Sequence, residues 1–293
     1  MTTTEIVCCL NRGLMRPLVT LINSVQAHAT RPDALRFNLI VPPRPEDLDA
    51  FERLIEAAFP ERRFEIRIVG GDLSPPVWEY LQARSRLPAK KEGAQTMNYA
   101  RFEVARLFPG LGRFIYLDCD IVVLADLEDL VRDFDPSRRL AAVPQLFTGL
   151  FYFRKPWAHW KAGLSMLRPF NAGVYVSDAA AWGEDLAREL QSIFDWDSRN
   201  AYRLFSLHTE PLMNLLFKDY APLHRRWNAS GFGNHPVVAA ALKRWQTDIG
   251  IVHWSGGHRK PWRDRTIAFA DEWWRYDLGP VPKEVLSPYQ TSP

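Results

Sequence analysis

Asp118-Cys119-Asp120 lies inside one of the most apolar runs of the chain, Phe114 to Leu124. Read as a buried strand, that run alternates its side chains, so Asp118 and Asp120 share one face and Cys119 takes the other. Two like charges a few Å apart and partly out of water are costly unless something neutralises them. The run itself holds no basic residue to pair with them. A divalent cation is the economical answer. The plain alternative is a pair of solvated acids at a strand end, or two caps for the turn that follows.

The elements that must position this pair follow from the apolar spacing. Glu5 to Leu10, Arg36 to Val41 and Phe64 to Val69 read as strands. Met15 to His28, Pro45 to Phe59 and Gln95 to Phe108 carry helical spacing. Strands alternating with helices predict an α/β fold, a mostly parallel, Rossmann-like central sheet flanked by helices. Ligands bind such sheets at the carboxyl ends of the strands, where Asp118 and Asp120 fall. Neither GxGxxG nor a P-loop is present. Further on, Asn171 to Val176 reads as a strand, Asp178 to Phe194 and His208 to Phe217 as helices, and Ile249 to Trp254 as a late strand. Pro144 to Arg168, rich in aromatics, reads as an excursion over the active face. The expectation is one continuous domain over 1–293, with a nucleotide-binding half at 1–125 and an acceptor-side half at 126–293.

Composition narrows the function classes. The chain has 293 residues and a net charge of +3, too little to argue for a nucleic-acid partner. No stretch reaches the roughly 20 apolar residues of a membrane span. Cys8, Cys9 and Cys119, an odd number in apparent strands, read as reduced thiols. With no secretory signal visible at Met1 to Val7, the expectation is a cytoplasmic protein. Eleven tryptophans suit sugar rings, although core packing is their usual role.

Four segments recur in a recognisable order: Asn98-Tyr-Ala-Arg101, Tyr116-Leu-Asp-Cys-Asp-Ile-Val-Val, Phe170-Asn-Ala-Gly-Val174, and His253-Trp-Ser-Gly-Gly-His-Arg-Lys-Pro-Trp262. Together they resemble glycosyltransferase family 8, which contains glycogenin, bacterial lipopolysaccharide glycosyltransferases and plant galacturonosyltransferases. The resemblance covers nearly the whole chain. It implies a GT-A fold and retaining transfer from a UDP-sugar to a carbohydrate or glycolipid acceptor, usually with manganese. It makes Asp118, Asp120 and His253 the metal ligands, with Asp118 also on the donor side. Two carboxylates and an imidazole form a mixed O/N set that suits Mn²⁺ better than Mg²⁺, although Mg²⁺ stays open. A histidine at a strand end is ordinarily structural. Here Gly256 and Gly257 let backbone amides approach phosphate, and Lys260 adds a charge. By the same resemblance Arg101 approaches the donor, in place of a solvated helix arginine. Asn171 lies near the donor sugar, and Ala172 and Gly173 leave it room.

The chain departs from the family in several places. The family's first strand usually ends in an acid followed by a tyrosine that stacks on uracil. Here Cys8-Cys-Leu-Asn-Arg-Gly-Leu14 has Asn11 in place of the acid and no tyrosine. The step from His253 to Lys260 is one residue longer than the family's. Glu210, in Thr209-Glu-Pro-Leu-Met-Asn214, stands where bacterial members carry glutamine, and this segment and Trp227 to Gly233 look closer to the plant branch. Glu210 is the candidate carboxylate for a covalent retaining route, and the plain alternative is a first-turn helix acid. Two rival functions remain at this point. A dehalogenase-type phosphohydrolase would place its Asp-Xaa-Asp on the first strand with a threonine two residues on, where this chain has Val122. A non-catalytic carbohydrate-binding protein would need neither the buried acids nor His253. Phe269, Trp273 and Trp274 in the last predicted helix are expected to pack on the domain.

Overall fold

The computed structural model describes residues 3–84, 92–145, 152–154, 156–164, 168–205, 209–234, 236–244, 248–256, 259–282 and 285. Among these, the strands are β1 (Thr4–Cys9), β2 (Leu35–Val41), β3 (Glu65–Gly70), β4 (Arg113–Leu117), β5 (Ile121–Val123), β6 (Leu140–Pro144), β7 (Phe170–Asp178), β8 (Ala221–Pro222), β9 (Ala229–Ser230) and β10 (Ile251–His253). The helices are α1 (Met15–His28), α2 (Pro45–Ala58), α3 (Pro75–Arg84), α4 (Glu92–Tyr99), α5 (Val104–Leu107), α6 (Leu127–Arg132), α7 (Pro156–Ala162), α8 (Glu184–Ser198), α9 (Glu210–Leu216), α10 (Pro236–Arg244) and α11 (Ala270–Tyr276).

The main sheet runs in the order β3-β2-β1-β4-β7-β6-β8. The pairs β2–β3, β1–β2, β1–β4 and β6–β8 are parallel, and β7 is antiparallel to both its neighbours. The expected α/β, mostly parallel sheet is therefore present. Strand order reverses between β1 and β4, and a crevice opens at the carboxyl ends of strands at such a reversal. Asn11 follows β1 and Asp118 follows β4, so both flank that point.

The period of two along each strand splits the core into two layers. Ile6 and Cys8 of β1, Ile115 and Leu117 of β4, and Val174 and Val176 of β7 join α1 and α2 in one layer. Val7 and Cys9, Phe114 and Tyr116, and Tyr175 face the other layer with α3, α8 and α9. A sheet covered on both faces needs the near-continuous apolar strands seen in this sequence.

The expected single strand through the aspartates is two strands in two sheets. β4 ends at Leu117, and β5 starts at Ile121 in a small sheet ordered β5-β10-β9. Asp118 N still donates to Gly173 O at 2.8 Å, while Trp254 N donates to Asp120 O at 3.0 Å. Asp118 is thus anchored to the large sheet and Asp120 to the small one. The break arises because Ile121 pairs with His253 of β10, which the β4–β7 ladder cannot also accommodate. The helix expected over Gln95 to Phe108 is likewise interrupted, by a 3-10 turn at Ala100–Glu103. The one expected from Asp178 is a 3-10 turn at Ala179–Trp182, then α8 after Gly183. Trp273 of α11 is fully buried, with Phe269 and Trp274 half-buried beside it. Arg16 crosses both indoles of Trp273 and Trp274, at 5.3 and 5.0 Å, and grips Asp277 with two bonds of 2.9 and 2.6 Å. No helix among the described residues is long and apolar enough to cross a membrane.

Candidate active site

Asp118, Asp120 and His253 converge where the two sheets meet, each offering one ligand atom, all within 4.8 Å of one another. His253 Nε2 lies 3.3 Å from Asp120 Oδ1 and 4.0 Å from Asp118 Oδ2. The carboxylates do have basic partners, contrary to what their sequence neighbours imply. Lys260 Nζ donates to Asp120 Oδ2 at 2.6 Å and to Trp254 O at 2.7 Å. Arg101 Nη2 donates to Asp118 Oδ1 at 3.3 Å. Burial pushes the Asp120 carboxyl up, but Lys260 and His253 outweigh it and hold it well below the usual carboxylate range.

Arg101 is not a solvated helix residue. It is 3% exposed, with Nη1 on Ala172 O at 2.8 Å, Nε on Asn98 O at 3.0 Å and its guanidinium 4.4 Å from the Tyr116 ring centre. Burial opposes its charge, and Tyr116 and Asp118 more than restore it. Its contacts tie Asp118 to the start of β7 at Ala172. Gly173 lies directly against the cluster: a Cβ there would come within 2.4 Å of His253 Cε1 and 2.6 Å of Asp118 Oδ2. A side chain at 173 would fill the space into which the acids and the imidazole point.

A hydrogen-bonded chain behind His253 fixes its tautomer. The Gly173 N–H can only donate, and it does so to Asn171 Oδ1 at 3.1 Å. Asn171 must then turn Nδ2 to Glu210 Oε2, at 2.9 Å. Asn228 Nδ2 donates to the same Asn171 oxygen at 3.1 Å. That leaves Asn228 Oδ1 facing His253 Nδ1 at 2.9 Å, so Nδ1 carries the hydrogen. Nε2 is left facing two carboxylates, and in the neutral ring its lone pair joins theirs around a space that suits a cation. The donor set fits a divalent metal, and an outer acceptor holding the other ring N–H of a ligating histidine, here the Asn228 carboxamide, is the support such a site needs. Asn228 escaped the sequence reading, because an asparagine 25 residues before the histidine carries no local signal of this contact.

Glu210 opens α9 and ends the same chain. Its Oε1 accepts from Tyr152 OH at 3.0 Å, and Asn214 Nδ2 braces Tyr152 OH at 3.1 Å. Burial raises the Glu210 carboxyl to about 7, against the lowering effect of the Tyr152 hydrogen bond. It is therefore more than a solvated first-turn acid. Asn171 bonds Glu210, and Arg101 links the Ala172 carbonyl to Asp118. Gly256 adopts φ +77°, and a Cβ there would meet Asn234 Oδ1 at 2.3 Å. Its carbonyl lies 3.5 Å from Lys260 Nζ. Gly257 lies outside the described residues. Asn11 is set apart from the metal cluster: its Oδ1 accepts from Gly13 N at 2.9 Å, and it lines a cleft of about 680 Å³.

The sequence profile of glycosyl transferase family 8 matches residues 5–266. The chain belongs to this family. The probable galacturonosyltransferase-like 6 of Arabidopsis thaliana is 28% identical over 278 residues, covering 90% of this chain and 77% of its own. Among solved structures, the galactosyltransferase LgtC, in complex with donor and acceptor sugar analogues, superposes with a TM-score of 0.69 at 20% identity, covering 96% of this chain and 98% of that one. Mouse xyloside xylosyltransferase 1 does so at 0.58 and 12%, covering 87% and 98%. Family 8 membership and the shared GT-A fold make glycosyl transfer the activity. The three relatives are named for different sugars.

Proposed function

We propose that the protein is a metal-dependent retaining glycosyltransferase that moves a sugar from a UDP-sugar to a carbohydrate or glycolipid acceptor, with Mn²⁺ as the preferred ion. The observation that carries this is the convergence of His253 Nε2 with Asp118 and Asp120 carboxylate oxygens, all within 4.8 Å, at the strand-order reversal. Asp118, Asp120 and His253 would hold the ion, and when bound it supplies Lewis-acid neutralisation of the departing diphosphate. Lys260 places an ammonium beside Asp120, and Gly256 and Gly257 are assigned to the phosphate. Arg101 steadies Asp118 and the Ala172 carbonyl of β7.

Glu210 and Asn171 are assigned to the sugar side. A Glu210 carboxylate oxygen bonds the anomeric carbon as the phosphate oxygen leaves with the bonding pair. The acceptor hydroxyl then displaces the carboxylate, and its proton passes to the departed phosphate. Asn171 holds the carboxylate through Oε2 and so orients it. The whole chain acts as one domain in this reading, and its three free, buried cysteines favour a reducing compartment such as the cytoplasm.

The test is donor turnover with a panel of UDP-sugars and Mn²⁺. UDP release that stops on chelation is expected, together with a Glu210→Gln variant slowed at least about a hundredfold. Release of inorganic phosphate would instead mark a phosphohydrolase, and sugar binding without turnover a lectin. Glu210→Gln activity within tenfold of wild type would remove the covalent route and leave transfer from the same face as UDP departure.

A further inference from the structure

The cleft that holds Asn11 lies over the carboxyl ends of β1, β2 and β3, where Pro42 and Pro43 follow β2 and Leu73 follows β3. Adjacent strands lie about 4.8 Å apart, so this cleft begins one strand from Asp118 and extends about 10 Å further. One wall is the indole of Trp78. On α3 the core face is Val77, Tyr80 and Leu81, all buried, whereas Trp78 is 47% exposed. Among the described residues no other ring stacks on it. An exposed tryptophan alone is ordinary. One that lines a cleft at the strand-order reversal together with two prolines is placed to receive a flat ring.

We propose that Trp78 is the platform on which the nucleobase of the donor stacks, doing from α3 what the missing aromatic after β1 cannot. The inference rests on the reading of Asp118, Asp120 and His253 as the diphosphate end of the same ligand. The cleft's own chemistry favours a base over a phosphate. Its two arginines already face acids: Arg12 and Arg44 share the fully buried Asp47, and Arg44 also lies 3.9 Å from Glu46. Pro42, Pro43, Leu73 and Met97 make the rest of the lining largely apolar. Asn11 Oδ1 is engaged by Gly13 N, so Asn11 offers a ligand chiefly its NH₂ donor, which matches a ring carbonyl such as uracil presents. Stacking between a base and an aromatic side chain holds a nucleotide with little regard to sequence, and alanine substitution there removes about 10- to 100-fold in affinity.

The experiment is calorimetry of the whole protein with Mn²⁺, using UDP and, separately, inorganic pyrophosphate. Trp78→Ala should weaken UDP about 10- to 100-fold and leave pyrophosphate unchanged, while Trp78→Phe stays within about threefold of wild type for both. UDP affinity unchanged in Trp78→Ala overturns the proposal. So does an equal loss of UDP and pyrophosphate, which would report distortion of the site. If pyrophosphate fails to bind the wild type while Trp78→Ala still weakens UDP, the platform stands and the metal assignment falls. A wild type that binds no UDP removes both.

Discussion

Replacing Asn228 with alanine separates a metal site from a packing arrangement. The substitution deletes the acceptor 2.9 Å from His253 Nδ1, on an imidazole that is only 1% exposed. A buried N–H left without a partner costs about 1–3 kcal/mol. The ring can avoid that cost without a metal by moving its hydrogen to Nε2, which then donates to Asp120 Oδ1, 3.3 Å away. Asn171 Oδ1 keeps the Gly173 N–H, so the rest of the chain survives. The metal-free variant should therefore lose little stability, about 1 kcal/mol or less. Metal binding pays in full, because Nε2 now carries a hydrogen where the lone pair is needed. Loss of such an outer partner costs about 10- to 100-fold in metal affinity, or about 1.4–2.8 kcal/mol. Asn228→Asp keeps an acceptor for Nδ1 and should bind more tightly than Asn228→Ala. Calorimetry or electron paramagnetic resonance titration with Mn²⁺ reads the affinity, and ¹⁵N NMR of His253 reads the tautomer. Mn²⁺ affinity in Asn228→Ala within twofold of wild type, or a metal-free wild type protonated on Nε2 alone, would refute the reasoning.

Asp118→Asn and Asp120→Asn should each abolish turnover, and Asp120→Asn should also cost about 2 kcal/mol in a urea melt because it strips Lys260 of its carboxylate at 2.6 Å; a stabilised Asp120→Asn would show that repulsion between the acids dominates instead. Gly173→Ala drives a Cβ within 2.4 Å of His253 Cε1, so Mn²⁺ affinity should fall more than about tenfold, with about 1–3 kcal/mol of stability. Glu210 has a folded pKa near 7 against an ordinary 4.5, so the folded chain binds the extra proton between those values. Its contribution is present below about pH 4.5 and is lost as pH rises through 7. Metal-free wild type should thus weaken relative to Glu210→Gln between pH 5 and 8, by up to about 3 kcal/mol, and parallel stability curves for the two proteins would contradict this.

Much of the fold was legible because it depends on short-range pattern. The apolar strands β1 to β3 and the amphipathic α1 and α2 appear near their expected bounds, since periodicity of two or 3.6 is a local property. The residue types at 118 and 120 pointed to a cation on their own, and the resemblance added His253 as its third ligand. What sequence could not decide was the route of the chain through the aspartates. Phe114 to Leu124 is apolar throughout, so nothing in it marks the step from the large sheet to the small one. That step exists because β10, more than 120 residues later, claims Ile121 to Val123 as partners. Only this pairing brings His253 between two carboxylates anchored to different sheets. The same holds for the partners of the site. Lys260, Arg101 and Asn228 are distant in sequence from the atoms they touch, and their contacts come from packing. Trp78 is the converse case: its helix was not foreseen, and its exposure acquires meaning only beside the cleft that β1, β2 and β3 together create. Local chemistry named the donors of the site, and long-range pairing decided which way each one points.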